Sequence, residues 1–344
     1  MEWNQLLSLV ASNPAVAVRI DSRQVQPGDV FVAIRGASCD GHQFIGQAIA
    51  KGARYIVCEN GTPTDGQVTF VPVENPAVAA GLLAQASNGN PGNRLTCLAV
   101  TGTNGKTTVT YLVKACIESS GRKCGLIGTV VYDTGSGTTQ SSLTTPDCLT
   151  LAEAQREMVA GDTTHMVMEA SSHALSQDRL AGVNFRAAAF TNLTGDHMDY
   201  HKTVENYLAA KTRLFTALAP DAVAVLNKQA PQSKSIADAT SAHICWYAID
   251  ESADLTAHIR SMTVAGTEFT LEHQGRTALV RTPLLGKHNV SNHLAAGGLC
   301  LAAGMDLEAV ASGLSSLPGV PGRLEKVGDG DVAVMRLAPT LVRS

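Results

Sequence analysis

Leu95-Thr96-Cys97-Leu98-Ala99-Val100-Thr101-Gly102-Thr103-Asn104-Gly105-Lys106-Thr107-Thr108 is the stretch on which the reading of this sequence turns. It opens as an apolar run of buried-strand length, and the glycines after it mark a tight turn. From about Lys106 to Ser120 the apolar residues recur at helical spacing. A Gly-rich turn between a buried strand and a helix suits a phosphate. Backbone N–H groups at the helix start point at the anion, and the helix dipole favours its charge. On this reading Gly102, Thr103, Asn104, Gly105, Lys106, Thr107 and Thr108 bind ATP, with Lys106 on the β/γ-phosphates and the Thr107 hydroxyl on Mg2+. The generic pattern has glycine five positions before Gly105; Val100 stands there, so the loop is a variant.

Outward from the loop, the chain reads as alternating strands and helices. Met166–Met168, Ala187–Phe190 and Ala222–Leu226 are further short apolar runs, with helical stretches between several of them. Such alternation predicts a mostly parallel sheet. From Ile244 to Thr282 the pattern becomes hairpin-like, and helices are expected at Val290–Ala303 and Leu307–Leu317. Upstream, Ser87-Asn88-Gly89-Asn90-Pro91-Gly92-Asn93 is built of turn formers and separates a first unit. That unit carries strands at Asp29–Ile34 and Tyr55–Cys58 and helices at Phe44–Lys51 and Asn75–Gln85. The expected class is α/β: a small N-terminal α/β domain followed by a P-loop-containing, mostly parallel-sheet ATPase domain.

The 344 residues fit about two domains at roughly 150 residues each. An apolar share of 44% excludes a disordered chain, and 26 basic against 30 acidic residues excludes a strongly basic nucleic-acid binder. Glu2 stands where a signal peptide carries basic residues. The run Leu294–Met305 is too short for a membrane span of about 20 residues. Eight scattered cysteines without a C-x-x-C pair argue against a structural zinc site and for a reducing, cytoplasmic location.

Two strand ends carry candidate metal ligands. Glu169 follows Met166-Val167-Met168, and Asn192 to His201 follows the Ala187–Phe190 run. Open α/β sheets bind ligands at such carboxyl ends. Glu169 and His197 offer an oxygen and a nitrogen to a magnesium ion on ATP. His197 and His201 also stand four apart, but Met198 occupies the glutamate position of a zinc-protease helix. The alternative is an Asp196 helix cap with solvated histidines.

The loop T-G-T-N-G-K-T-T resembles that of the Mur ligases, ATP-dependent amino-acid ligases of peptidoglycan synthesis; folylpolyglutamate synthases carry a related loop. Asp21-Ser22-Arg23, the Pro27–Gly36 run, Asp40-Gly41-His42-Gln43-Phe44-Ile45 and Ala48–Val57 are similar to the UDP-binding domain of MurE-type and MurF-type members. Thr144-Thr145-Pro146-Asp147 and the run Glu169–Arg179 favour the MurE type.

The resemblance implies that Ser22 meets the uridine nucleotide and that Thr144, Thr145, Ser171, Gln177 and Arg179 bind the muramoyl dipeptide. Asn289 and Asn292, in His288-Asn289-Val290-Ser291-Asn292, are implied contacts of the ATP adenosine; read alone, Asn289 is a candidate helix cap. Lys211, in Ala209-Ala210-Lys211, would be carbamylated and share a second Mg2+. Lys106, Lys211, His197 and Glu169 then form the catalytic set, and Thr107, Glu169, His197 and carbamylated Lys211 the metal set. The implied partners are a UDP-N-acetylmuramoyl dipeptide and a diamino acid (meso-diaminopimelate or L-lysine). No nucleic acid or membrane is implied, and a monomer is expected.

The implied domains are 1–90 for the UDP substrate and 91–327 for ATP. Residues 328–344 form an aberrant tail where the family continues into a third domain. That departure, near Met335, leads us to expect impaired ligation, or a truncated homologue that only binds nucleotide. A MurF-type or folylpolyglutamate-synthase-like ligase remains a further alternative.

Overall fold

The computed structural model describes residues 1–36, 39–60, 68–195, 198–321, 325–327 and 334–336. In chain order it begins with α1 (Trp3–Ser12), β1 (Val18–Arg19), β2 (Val30–Val32), α2 (Ile45–Ala50), β3 (Tyr55–Cys58), β4 (Thr69–Pro72) and α3 (Pro76–Ser87). There follow β5 (Thr96–Thr101), α4 (Lys106–Ser119), β6 (Cys124–Ile127), β7 (Val131–Asp133), β8 (Thr138–Gln140), α5 (Cys148–Ala160), β9 (His165–Glu169) and α6 (Ser172–Ser176). Then come β10 (Phe185–Phe190), α7 (Met198–His201), α8 (Val204–Thr216), β11 (Val223–Asn227), α9 (Ser233–Ala239) and β12 (His243–Ile249). The remainder is β13 (Leu255–Thr263), β14 (Gly266–His273), β15 (Arg276–Thr282), α10 (Lys287–Ala302), α11 (Leu307–Ser316) and a two-stranded ladder of β16 (Glu325–Val327) and β17 (Val334–Arg336).

Contacts divide the chain into two compact units. One holds Met1–Leu95 together with Pro146–Ala160 and His173–Asn184; the other holds Thr96–Thr145, Gly161–Ser172 and Phe185–Ser344.

The first unit is built on a parallel sheet in the order β1-β2-β3-β4. Alternation along β2 and β3 sends Val30, Val32 and Val57 to a core shared with Leu6, Val10, Leu83 and Ala152. Phe31, Ile56 and Cys58 pack on the other face with Ala48. Asn75 starts α3 by accepting from the N–H groups of Ala77 and Val78. Its amide also donates to Asp178 Oδ2 at 3.0 Å, which binds the Gln177–Arg179 stretch to the head of that helix.

The second unit is an eleven-stranded sheet in the order β15-β14-β13-β12-β11-β10-β5-β9-β6-β7-β8. The strands from β13 through to β6 run parallel, and antiparallel hairpins finish both edges. The expected hairpin region from Ile244 is corrected here. β12 pairs parallel with β11 and with β13, so antiparallel pairing begins only at Leu255. The β7–β8 hairpin gave no apolar signal, because β8 is exposed at every position. Helices α4, α10 and α11 cover the sheet through Val113, Cys116, Leu294, Leu299, Val310 and Leu314. No helix among the described residues is long and apolar enough to cross a membrane.

Two buried residues set limits on this packing. Gly313 lets α11 approach α4 so closely that a Cβ there would run into Cys116 Cα. Alanine ordinarily stabilises a helix by about 1 kcal/mol over glycine, but here the obstacle is backbone. Gly313→Ala is expected to destabilise the protein by roughly 1–3 kcal/mol, measured by urea unfolding.

His293 is fully buried against Phe269; its Nδ1 bonds the Asn289 carbonyl at 2.7 Å, and Nε2 has no partner among the described residues. Burial pushes the imidazole down from 6.5 to about 4, with the Asn289 carbonyl offsetting part of it. Between those values the unfolded chain binds a proton that the folded chain does not. Stability is therefore lost as pH falls through that window, on the order of 3 kcal/mol. His293→Leu is expected to flatten this part of the stability–pH profile; an unchanged slope would contradict the assignment.

Candidate active site

The site grows from the carboxyl ends of β5, β9 and β10. Parallel register sets Val100 beside Glu169 and Thr101 beside Phe190, so the three strands end level with one another. After β5 the chain turns through Gly102 to Gly105 and enters α4. Gly105 holds φ at +91°, in the left-handed region that favours glycine, and a Cβ there would press on the Asn292 side chain of α10. The segment after β10 braces the loop. Asn192 accepts from the N–H of Thr103 through its carbonyl at 2.9 Å and from that of Asn104 through Oδ1 at 3.1 Å. Thr191 Oγ1 donates to the Asn104 carbonyl at 2.6 Å.

Lys106, the first residue of α4, donates through Nζ to the carbonyls of Gly102 and Thr103, both at 2.9 Å. Lys211 comes from the interior face of α8, 1% exposed, and donates to the same Gly102 carbonyl at 2.9 Å. Its ammonium also lies 4.3 Å from the centre of the Tyr207 ring. The Tyr207 hydroxyl stands 3.2 Å from Thr103 Oγ1. Both candidate catalytic lysines thus converge on one loop oxygen, with Tyr207 against Lys211.

Glu169, 1% exposed, accepts from Thr107 Oγ1 at 3.0 Å on Oε1, from the Thr129 N–H at 2.8 Å on Oε1, and from Thr129 Oγ1 at 3.0 Å on Oε2. Among the described residues no cation pairs with it. Buried carboxylates are normally paired with a cation or bound to a metal. At the usual Mg–O length of roughly 2.0–2.1 Å, neighbouring octahedral ligands lie about 2.9 Å apart. The Thr107–Glu169 oxygen separation therefore fits two ligands of one magnesium ion. No three His, Cys, Asp or Glu side chains converge as a cage among the described residues. The remaining ligands would be phosphate oxygens and water, as magnesium sites on nucleotides use.

His197, the other candidate ligand, and Asp196 lie outside the described residues. His201 is not the solvated residue of the alternative reading. It is 6% exposed, with Nε2 2.9 Å from Ser172 Oγ and its ring against Tyr207.

The candidate acceptor-binding threonines lie beside Glu169. Thr145 Oγ1 donates to the Glu169 carbonyl at 2.7 Å, accepts from the Ser171 N–H at 3.0 Å and lies 3.2 Å from Ser171 Oγ. Thr144 Oγ1 is 3.2 Å from Thr129 Oγ1. Asn289 is not the cap of α10: Gly286 is, and Asn289 donates to the Leu285 carbonyl from inside the first turn. Asn292 donates to Asn289 Oδ1 at 3.1 Å.

Three substrate candidates belong to the first unit. Ser22 donates to Gln47 Oε1 at 2.7 Å, and Arg179 donates through Nε and Nη2 to Gln177 Oε1 at 3.0 and 2.7 Å. Thr129 and Tyr207 belong to no motif. Their only signal is the sheet order that seats β6 next to β9, and the helical spacing of Tyr207 and Lys211, four residues apart.

Residues 100–300 match the family described as Mur ligase middle domain, and residues 15–88 match Mur ligase family, catalytic domain. The UDP-N-acetylmuramoyl-L-alanyl-D-glutamate--2,6-diaminopimelate ligase of Geobacillus kaustophilus is 41% identical over 321 residues, which are 92% of this chain and 65% of that relative. The chain therefore spans 65% of the length of the curated relative it matches. A solved structure of a ligase with the same name has a TM-score of 0.77 at 30% identity, covering 91% of this chain and 65% of that one. The MurF ligase of Thermotoga maritima in complex with ADP shares the fold, with a TM-score of 0.59 at 21% identity over 90% of this chain and 68% of that one. With its loop, its strand-end glutamate and its interior lysine on this α/β frame, the chain belongs to the Mur ligase family.

Proposed function

We propose that this chain carries the nucleotide and acceptor sites of an ATP-dependent MurE-type ligase. The reaction joins a diamino acid to UDP-N-acetylmuramoyl-L-alanyl-D-glutamate in peptidoglycan synthesis. meso-Diaminopimelate is favoured over L-lysine because the relative at 41% identity is named for 2,6-diaminopimelate. Glu169 carries the reading: a buried carboxylate with no cation beside it among the described residues, bonded to Thr107 of the loop and linked through Thr129 to Thr144.

The γ-carboxylate of the acceptor's D-glutamate attacks the γ-phosphate of ATP, and the amine of the diamino acid then displaces phosphate from the acyl phosphate. Residues Gly102 to Thr108 cradle the phosphates, and Lys106 leaves the loop carbonyls to meet them. Asn289 and Asn292 line the adenosine. Ser22 meets the uridine nucleotide, while Thr144, Thr145, Ser171 and Gln177 orient the muramoyl dipeptide. The Arg179 guanidinium forks onto an acceptor carboxylate. Thr107, Glu169, His197 and carbamylated Lys211 would hold Mg2+, whose charge offsets the repulsion between carboxylate and phosphate. Residues 1–90 would serve the UDP substrate and 91–327 the nucleotide, with 328–344 outside both. The chain would work in the cytoplasm as a monomer, without nucleic-acid or membrane partners.

Thermal shift with three acceptors tests the reading. UDP-N-acetylmuramoyl dipeptide is expected to raise the melting temperature; a preference for the tripeptide or for folate would contradict it. ADP with Mg2+ is expected to raise it too, and Lys106→Ala to weaken nucleotide affinity at least tenfold by calorimetry. For Lys211, 13C-bicarbonate is expected to give a carbamate carbonyl resonance that disappears in Lys211→Arg. A spectrum identical in both proteins would exclude the modification.

A further inference from the structure

Thr129 lies in Gly128-Thr129-Val130, directly after β6, and is exposed, yet among the described residues it supplies two of the three donors on the buried Glu169 carboxylate. The approach is close: a Cβ on Gly128 would sit 2.6 Å from Glu169 Oε1. A hydroxyl has one proton to give. The Thr129 proton goes to Glu169 Oε2, so the 3.2 Å contact with Thr144 must carry the Thr144 proton onto Thr129 Oγ1. This makes a directed chain, from the Thr144 hydroxyl to the Thr129 hydroxyl to the carboxylate. An acceptor group that bonds to the Thr144 hydroxyl competes for the first proton in that chain. A metal that draws on the Glu169 carboxylate acts at its other end. The Thr129 N–H meanwhile fixes Oε1, the oxygen that faces Thr107.

We infer that Thr129 is a positioning residue that aims Glu169 at the metal and couples the occupancy of the Thr144 site to metal–nucleotide binding. The inference rests on the proposed function, since it takes Thr144 as an acceptor contact and Glu169 as a metal ligand. Coupling of this kind is reciprocal: each ligand changes the affinity of the other by the same factor.

The test is calorimetry on the full chain with Mn2+–ADP, ADP without metal, and UDP-N-acetylmuramoyl dipeptide. Thr129→Val keeps the shape and the N–H and removes the hydroxyl. It is expected to weaken Mn2+–ADP binding about tenfold while ADP alone changes less than twofold. The factor by which the dipeptide alters Mn2+–ADP affinity is expected to collapse towards one. Thr129→Ser is expected to restore both, with the melting temperature of each variant within about 2 °C of wild type. If wild type binds all three ligands and Thr129→Val matches it, the inference is overturned and the proposed function stands. If Thr129→Ser fails as Thr129→Val does and both melt early, the residue is merely structural and the inference again falls. If wild type binds neither Mn2+–ADP nor the dipeptide, the proposed function falls and takes this inference with it.

Discussion

A carboxylate in the interior is costly without a cation, and among the described residues Glu169 is held there by hydrogen-bond donors alone. Three hydrogen bonds from two threonines offset part of the desolvation and leave its negative charge uncancelled by any cation among the described residues. Each neighbour follows from that constraint. The parallel pairing of β5 with β9 brings the carboxylate level with the start of the phosphate loop. The pairing of β6 with β9 on the other side brings Thr129 within reach. Thr145, which accepts from the Ser171 N–H, then donates to the backbone carbonyl of the same residue.

The lysines complement this arrangement from the loop side. Lys106 and Lys211 share the Gly102 carbonyl, and the Tyr207 ring lies against the Lys211 ammonium. Positive charge is thereby gathered on the loop side while negative charge stays at Glu169. In the proposed reading a nucleotide polyphosphate with a divalent cation would bring anionic oxygens to the lysines and a cation to the carboxylate. The net charge of −4 on the whole chain thus says little about the site. Its electrostatics come from a few groups held within one sheet end.

The strand, loop and helix around Lys106 were legible in the sequence because the signal is local: an apolar run, glycines, then helical spacing. Lys211 was expected on a helix beginning near Val204, and α8 begins there. What depended on long-range pairing was not legible. β12 resembles a hairpin strand in composition but pairs parallel on both sides. Pro146–Ala160 and His173–Asn184 pack within the first compact unit although the phosphate loop precedes them in sequence. Thr129 could not be singled out, since a threonine after a glycine gains meaning only once β6 is known to lie beside β9. The alternative of a solvated His201 fails only in the structure, because its spacing from His197 says nothing about its burial or its bond to Ser172.

In the proposed site Thr107 and Glu169 are two ligands of one metal ion. A crystal structure with Mn2+ and ADP, phased on the manganese anomalous signal, tests it most directly. The metal is expected between Thr107 Oγ1 and Glu169 Oε1, completed by phosphate oxygens, with the hydrogen bond between those residues gone. Manganese held only by the phosphates, with the Thr107–Glu169 hydrogen bond intact, would contradict it.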